Sequence, residues 1–257
     1  MLLAIDIGNT NIAMGVFNKK KLLKQWKIKS DRDKTCDEYK ILLMELFALG
    51  HVKVSEINDI IISSVVPPLT PVFQSLSRDL FKQRTMIVGP GLKTGLPIIY
   101  EHPAEVGADR VMASLAAFEK FGGPAIVVDF GTATTFDAVS RKGEYLGGAI
   151  APGIQSAAES LYLKTAKLPR IEIVKPKQAV GRTTVASMQS GLYFGYVGLV
   201  SKIIDVIKNE IGKDAKVITT GGFASLIMPE FDNIAGYEPF LVLEGLRIVH
   251  ERNRNEK

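Results

Sequence analysis

Two stretches of the chain combine a carboxylate with a tight turn that contains glycine and threonine. The first is Asp6, which follows the apolar run 2–5, a pattern typical of a buried strand. Gly8-Asn9-Thr10 then turns the chain into a second apolar stretch, 12–17. A buried acid needs a partner, often a cation, and the backbone N–H groups of such a turn can bind an anion. This stretch therefore predicts a metal-bound phosphate.

The second stretch repeats this design, with an apolar strand, Asp129, Gly131 and then Thr132. In each copy a lysine lies in the next turn, 13 positions after its aspartate, and a third strand is predicted beyond it, at 22–28 and at 144–150. One copy alone would fit an ordinary hairpin equally well. Two copies in the same register favour a duplicated fold with a ligand between its halves.

These motifs resemble a known family. Paired Asp-x-Gly-x-Thr strands mark the superfamily of acetate and sugar kinases, heat-shock chaperones and actin. Within it, the chain is similar to the type III pantothenate kinases, in motifs that run in order through most of its length. The motifs are Asp6-Ile7-Gly8-Asn9-Thr10-Asn11, Gly107-Ala108-Asp109-Arg110, Asp129-Phe130-Gly131-Thr132-Ala133-Thr134-Thr135, Gly147-Gly148-Ala149-Ile150-Ala151-Pro152-Gly153 and Met188-Gln189-Ser190-Gly191.

The resemblance implies an α/β protein with a duplicated actin-like, or ribonuclease H-like, ATPase fold and a mixed sheet in each of two lobes. We expect the lobes at 1–113 and 114–257, the second with a dimerisation helix. The implied activity transfers the γ-phosphate of ATP to pantothenate, giving 4′-phosphopantothenate in the first step of coenzyme A biosynthesis. The family forms homodimers, so some substrate contacts are expected from the partner chain.

Phosphoryl transfer needs positioned phosphates, a divalent ion and an oriented nucleophile. Asp6 is the candidate for magnesium, through water, because magnesium tends to keep several waters. Thr132 can add a hydroxyl donor from the second turn. The predicted ATP and phosphate site consists of Asp6, Ile7, Gly8, Asn9, Thr10, Asn11, Ile12, Ala13 and Thr132.

The remaining roles come from the resemblance. It implies that Asp109 is the general base for the pantothenate hydroxyl and that Asp129 binds a monovalent cation, potassium or ammonium. The implied substrate contacts are Tyr100, Gly107, Ala108, Asp109, Arg110 and Thr184. Without the resemblance, Asp109 near a helix start could simply be a cap. One departure is Thr183, where the family pattern favours Asn.

Two other functions remain open at this stage. Some relatives were named as accessory factors for transcription, although the presence of Asp6, Asp109 and Asp129 argues against a catalytically inactive regulator. A phosphatase of the same superfamily would use water in place of the alcohol. Phosphatases of this superfamily carry an acidic residue that orients the water, and the sequence alone does not exclude such a residue here.

The elements that must position these residues alternate between strands and helices, which predicts layered α/β halves. Gly89–Gly95 lacks the spacing of a phosphate loop and is interpreted as a connector. Three glycines, 191, 195 and 198, interrupt a long helix predicted over 184–211, and either a dimer interface or close packing on the sheet would explain them. The helix predicted over 37–49 should bury an apolar face made of Ile41, Leu42, Met44, Leu46 and Phe47.

Composition sets the remaining bounds. The 257 residues are 46% hydrophobic and carry a net charge of +5, with a pI of about 9.1. A single cysteine excludes an internal disulfide and a cysteine-based zinc site. The lysine-rich stretch 19–29 is interpreted as a solvated hairpin rather than a nucleic-acid site. The start lacks the pattern of a signal peptide and no apolar run reaches membrane-span length. We therefore expect a cytoplasmic enzyme without a membrane partner, with a polar tail, 252–257, that frays.

Overall fold

The computed structural model describes residues 1–254, which form ten strands and seven α-helices. The strands are β1 Leu2–Ile7, β2 Asn11–Asn18, β3 Lys21–Lys29, β4 Asp59–Ser64, β5 Thr85–Ile87, β6 Ala125–Phe130, β7 Ala133–Val139, β8 Tyr145–Pro152, β9 Lys216–Gly221 and β10 Ile234–Tyr237. The helices are α1 Cys36–Leu49, α2 Leu69–Phe81, α3 Ala108–Phe121, α4 Ile154–Lys164, α5 Thr184–Ile211, α6 Ala224–Ile227 and α7 Leu241–Arg254.

The chain divides into two units by its internal contacts. The first contains Met1–Gly95, His102–Ala116 and the C-terminal residues from Leu241, and the second contains Leu96–Glu101 and Ala117–Phe240. Helix α7 packs on β1, β2 and β4. The division expected from the sequence, at residue 113, placed this helix with the second half.

The first unit is built on a five-stranded sheet in the order β3-β2-β1-β4-β5. Strand β1 is antiparallel to β2 and parallel to β4. Alternate residues of β1, including Leu3 and Ile5, face a core that α1 and α2 close with side chains such as Phe47 and Phe73. Helix α7 packs on β1 from the opposite face of the sheet. A β-carbon at Gly245 would lie 2.1 Å from the carbonyl oxygen of Met112, so glycine is needed where α7 meets α3.

The second unit repeats this plan in the order β10-β9-β6-β7-β8. Strand β6 is antiparallel to β7 and parallel to β9, as β1 is to β2 and β4. Its core lies between one face of this sheet and helices α4 and α5, with Val128, Phe136 and Tyr193 among its members. The predicted α/β class, with a duplicated plan and a mixed sheet in each half, is confirmed.

The two aspartate turns differ by one residue. In the first, Ile7 pairs with Ile12, which leaves four residues in the turn. In the second, Phe130 pairs with Thr134, which leaves three. The turns are therefore equivalent in position and different in geometry.

The apolar face predicted for α1 is partly wrong. Ile41 is 60% exposed and Met44 is 53% exposed, and the buried positions are Tyr39, Leu43 and Phe47. These three lie at a spacing of four residues and form one stripe of the helix. Tyr39 belongs to that stripe because its hydroxyl donates to the carbonyl oxygen of Asp31, 2.8 Å away, which satisfies the polar end of a buried ring.

Helix α5 buries one face and leaves its glycines uncovered. A β-carbon at Gly191, Gly195 or Gly198 would have no heavy atom within 4 Å, so packing on the sheet does not explain these residues. Within residues 1–254, α5 is the one helix long and apolar enough to cross a membrane, with a mean hydropathy of 1.3. Length and composition are weak evidence for a span, and the opposite face, which includes Tyr193 and Val200, packs in the second core.

The C-terminal end of α7 is anchored where fraying was expected. Asn253 accepts a hydrogen bond from the backbone N–H of Lys93 at 3.1 Å and donates to its carbonyl oxygen at 3.0 Å. Arg252 donates to the carbonyl oxygen of Thr94. The expectation of a frayed tail is wrong for 252–254, and its remainder, 255–257, lies outside the described residues.

Candidate active site

The first aspartate turn is held closed by backbone and serine hydrogen bonds. The N–H of Gly8 donates to the carbonyl oxygen of Asn11 at 3.0 Å. Ser30 clamps the other side, since its hydroxyl donates to the carbonyl oxygen of Gly8 at 2.5 Å and its N–H donates to that of Thr10 at 2.9 Å. Because the Gly8 N–H is used inside the turn, the exposed tip, Asn9 and Thr10, is the part that a phosphate can approach. Arg32 adds positive charge there by donating to Asn9 Oδ1 at 3.1 Å.

Asp6 lies beside a buried hydroxyl on the neighbouring strand. Asp6 and Ser63 are register partners in the parallel pair β1 and β4, so their side chains share one face of the sheet. Ser63 is fully buried, and its Oγ has no hydrogen-bond partner among residues 1–254. A carboxylate next to an unsatisfied hydroxyl fits a hydrated magnesium ion, which prefers oxygen ligands and keeps its waters.

The described part of the chain contains no group of three or more His, Cys, Asp or Glu residues that could enclose a metal ion. A divalent ion at Asp6 would therefore complete its shell with water and with the phosphates of a nucleotide, which is how magnesium is commonly bound in phosphoryl-transfer sites. Magnesium binding by Asp6 through water stays a prediction, and the residues around Asp6 are compatible with it.

Asp109 is the second residue of α3, and its carboxylate folds back over the segment that leads into the helix. Its Oδ1 accepts a hydrogen bond from the N–H of Arg110 at 2.8 Å. A β-carbon at Gly107 would lie 2.4 Å from that oxygen, so only glycine admits the carboxylate in this position. Burial raises the pKa of Asp109 above its ordinary value, while the Arg110 N–H and the Arg110 charge oppose the shift. A raised pKa suits a general base, which works best when its pKa lies near the operating pH.

The segment before Asp109 lies close to the end of β1. The N–H of Val65, just past β4, donates to the carbonyl oxygen of Ile7 at 3.0 Å. A β-carbon at Gly107 would be in van der Waals contact with Val65 Cγ1, at 3.7 Å. The structure therefore brings the Gly107–Arg110 motif and the Asp6 turn to the same end of the first unit, although the two motifs lie about a hundred residues apart in the sequence.

The second turn is fixed from the start of α4. The N–H of Gly131 donates to the carbonyl oxygen of Ala133 at 3.1 Å, as Gly8 does in the first turn. The carbonyl oxygen of Thr132 accepts from the N–H of Gly153 at 3.1 Å and from Ser156 Oγ at 2.8 Å. The side chain of Thr132 lies at the exposed tip of this turn, where it was predicted to bind phosphate.

Asp129 occupies a niche that two glycines create. Its Oδ1 would lie 2.4 Å from a β-carbon at Gly221 and 3.7 Å from one at Gly131. Gly221 ends β9 with a φ of +92°, a left-handed backbone that favours glycine. A carboxylate oxygen held this close to the backbone of two glycines fits a cation, which would take carbonyl and water oxygens as further ligands.

Tyr100 lies in the second unit and covers β8. Its ring packs at 6.5 Å from that of Tyr145. It also lies over Gly147, where a β-carbon would approach the ring to 3.1 Å. With 41% of its surface exposed, Tyr100 keeps one side open to a ligand. His102 follows it in an exposed turn before Pro103.

Thr184 is the first residue of α5, and Thr183 is the N-cap. The Thr183 hydroxyl accepts a hydrogen bond from the N–H of Ala186 at 3.2 Å. Asn caps helices about as well as Thr, so the departure at Thr183 preserves the local structure. Tyr196, which donates to the carbonyl oxygen of Pro152 beside the second turn, lies about three turns further along α5, or roughly 18 Å at about 1.5 Å per residue. Thr184 is therefore remote from the second turn of its own chain.

Four residues that shape these turns were not singled out as site residues from the sequence: Ser30, Ser63, Ser156 and Gly153. Ser30, Ser156 and Gly153 act through hydrogen bonds or close approaches between segments that are distant in sequence, as Ser30 does with Gly8. Ser63 acts through its place beside Asp6 on the neighbouring strand. Of the four, only Gly153 belongs to a sequence motif, since it ends the motif that starts at Gly147. A β-carbon at Gly153 would lie 2.4 Å from the carbonyl oxygens of Gly131 and Thr132.

Solved structures with this architecture identify the fold. A Baf family transcriptional activator from Campylobacter jejuni superposes with a TM-score of 0.64, at 21% identity over 98% of this chain and 99% of that one. An activator of 2-hydroxyisocaproyl-CoA dehydratase from Clostridium difficile, solved with bound ADPNP, superposes with a TM-score of 0.57, at 10% identity over 100% of this chain and 98% of that one. These similarities show an actin-like ATPase fold.

Sequence relatives identify the family. A family model described as type III pantothenate kinase matches residues 2–206. A protein of that description from Geobacter sp. (strain M21) is 52% identical over 254 residues, which cover 99% of this chain and 100% of the relative. Another from Moorella thermoacetica is 51% identical over 253 residues, 98% of this chain and 100% of the relative. The chain therefore belongs to the type III pantothenate kinase family.

Proposed function

We propose that this protein transfers the γ-phosphate of ATP to pantothenate and releases 4′-phosphopantothenate, the first step of coenzyme A biosynthesis. The observation that carries the proposal is the placement of two carboxylates at one end of the first unit. Asp6 precedes a tight turn with an exposed tip, and Asp109, whose pKa is raised by burial, lies on the segment that packs against Val65. In a chain of this family, such a pair would provide an ion site and a base.

The first turn would hold the phosphates of ATP. The exposed tip at Asn9 and Thr10, with the Arg32 charge behind it, presents backbone and side-chain donors to an anion. Asp6 would hold the hydrated magnesium ion, and Thr132 would donate its hydroxyl from the second turn. When bound, the ion neutralises charge on the phosphoryl oxygens. Ile7, Gly8, Asn11, Ile12 and Ala13 complete the proposed nucleotide site.

Asp109 would accept the proton of the pantothenate hydroxyl as that oxygen attacks phosphorus. An alcohol is a weak nucleophile, and a positioned base increases the rate by about 10²–10⁴-fold. The Arg110 N–H bond to Oδ1 fixes the carboxylate and leaves Oδ2 as the oxygen that can take the proton. The raised pKa makes the carboxylate a stronger base than an ordinary aspartate.

The other proposed contacts orient the two substrates. Asp129 would bind potassium or ammonium in the niche beside Gly221. Tyr100, Gly107, Ala108, Arg110 and Thr184 would contact pantothenate. The distance of Thr184 from the second turn of its own chain supports a contribution to the site of a partner subunit.

The proposed enzyme is a homodimer that uses the open face of α5. The glycines at 191, 195 and 198 leave room for a close approach by another helix, and Phe194 is 39% exposed on the same part of the helix. A second copy that packs there would explain glycines that cost about 1 kcal/mol each in helix propensity. The proposal places the enzyme in the cytoplasm and includes neither nucleic acid nor membrane as a partner.

A coupled assay of ADP release tests the proposal. The protein is incubated with ATP and magnesium, first alone and then with pantothenate, simple sugars or other alcohols. ADP release that depends on pantothenate, together with a product heavier by one phosphoryl group, is the expected result. Equal turnover of sugars would contradict the substrate. ADP release without any alcohol would favour the phosphatase, and no turnover under any condition would favour the regulator.

A further inference from the structure

A buried carboxylate in the second unit has no role in the phosphoryl transfer described above. Asp137 of β7 is 1% exposed. Its Oδ1 accepts a hydrogen bond from the hydroxyl of Tyr145 at 2.8 Å, and its Oδ2 accepts one from Thr135 Oγ1 at 3.0 Å. Burying a carboxylate is costly unless hydrogen bonds compensate. Both oxygens are engaged here, so Asp137 fixes the orientation of the Tyr145 ring.

Tyr145 in turn fixes the segment that carries Tyr100. The N–H of Tyr145 donates to the carbonyl oxygen of Pro97, and its own carbonyl oxygen accepts from the N–H of Ile99, both at 2.8 Å. The fully buried ring of Tyr145 packs against the ring of Tyr100 at 6.5 Å with an angle of 53°. The backbone of Tyr145 therefore fixes the path of residues 97–99, and its ring fixes the tilt of the Tyr100 side chain.

Gly147 lies against the Tyr100 ring. It has a φ of +104°, and a β-carbon there would lie 3.1 and 3.2 Å from two atoms of the Tyr100 ring. The Tyr100 ring thus lies against β8 at Gly147 and beside the ring of Tyr145, and 41% of the residue stays exposed. Such an arrangement pre-organises an aromatic contact surface before a ligand arrives.

We propose that Asp137 and Tyr145 are positioning residues that hold Tyr100 in the orientation required to bind the pantothenate substrate. The inference rests on the proposed substrate role of Tyr100. Asp137 and Tyr145 would affect pantothenate binding without contacting either substrate. Thr135, which shares the Asp137 carboxylate, is the register partner of Asp129, so the network is anchored on the strand next to the second turn.

The first test is Tyr145→Phe, which keeps the ring and removes the hydrogen bond to Asp137. We expect KM for pantothenate to rise about 2- to 13-fold, the range of one lost hydrogen bond of about 0.5–1.5 kcal/mol, with KM for ATP unchanged. Tyr193→Phe is the matched control, because Tyr193 is also fully buried and donates to a carboxylate, Glu230, at 2.7 Å. It should lower stability comparably and leave both KM values unchanged.

A double-mutant cycle separates this inference from the role of Tyr100 itself. Tyr145→Phe should have no further effect on KM in a Tyr100→Ala background, because the group it positions is absent. Unchanged KM for pantothenate in Tyr100→Ala would overturn the substrate role of Tyr100. A rise with Tyr100→Ala and none with Tyr145→Phe or Asp137→Asn would overturn the positioning role alone. Additive effects in the cycle would also overturn the positioning role.

If Tyr145→Phe does not fold, Asp137→Asn, which keeps the shape of the side chain, replaces it in the same cycle.

Discussion

The Asp129 carboxylate lies directly against the backbone of Gly221, where a β-carbon would come within 2.4 Å of Oδ1. Gly221 ends β9, and Asp129 is the last residue but one of the neighbouring parallel strand β6. The left-handed φ of +92° at Gly221 turns the chain away at that point. The niche for a cation therefore depends as much on the absence of a side chain at Gly221 as on the Asp129 carboxylate.

Gly221→Ala should remove activation by potassium. The added methyl group would displace the Asp129 carboxylate, and the left-handed backbone would cost about 1–2 kcal/mol of stability for a residue with a β-carbon. Rates in equal concentrations of sodium, potassium and ammonium measure the response, and thermal unfolding measures the strain. Asp129→Asn should lose the same response.

Gly222→Ala is the matched control for this change, because a β-carbon at Gly222 meets no heavy atom within 4 Å. It should keep the response to potassium. An undiminished potassium response in both Gly221→Ala and Asp129→Asn would show that this niche is not the cation site.

Gly195→Arg should convert the protein from a dimer to a monomer. The helix itself gains propensity, since glycine is about 0.8–1.0 kcal/mol less favourable than alanine and arginine is nearly as good as alanine. The space at Gly195 is open within the chain, so the monomer should fold. Light scattering at micromolar concentration measures the mass, and circular dichroism reports the helix content.

Gly89→Arg provides the control for added charge and bulk, because a β-carbon at Gly89 also has no neighbour within 4 Å and this residue lies in a loop of the first unit. This variant should remain a dimer. A monomeric parent protein, or a Gly195→Arg protein that keeps the dimer mass, would contradict an interface on α5.

The rate at low pH should follow the ionisation of Asp109. Burial raises its pKa, and the base must be ionised to accept a proton, so kcat/KM should fall with decreasing pH at a higher pH than an ordinary aspartate would give, about 3.9 in model peptides. Initial rates at constant ionic strength give the profile. Full recovery of activity on return to neutral pH separates this titration from acid unfolding. A rate that stays flat down to the ordinary range would contradict the assignment.

Sequence reasoning located the residues with a local signature. Asp6 and Asp129 were found because an acid, a glycine and a threonine follow a buried strand in both halves, and Asp109 because its motif resembles that of the family. Ser63 and Ser156 have no such signature, since their roles arise from strand pairing and from a helix start next to a turn. Sequence periodicity also overestimated the apolar face of α1, because Ile41 and Met44 are exposed while Tyr39, with a satisfied hydroxyl, is buried.

The turnover of Asp109→Asn, with saturating ATP, magnesium and pantothenate, tests the central claim most directly. Asn keeps the shape and the Oδ1 acceptor for the Arg110 N–H and cannot take the proton. Because burial raises the pKa of Asp109, the folded state disfavours its ionised form, so stability from this group is present below the unfolded pKa and is lost as the pH rises through the folded value. At neutral pH the variant should therefore be at least as stable as the parent. We predict a loss in kcat of about 10²–10⁴-fold with nucleotide binding preserved. A folded variant with near-normal kcat would contradict the account and leave Asp109 a structural residue at the start of α3.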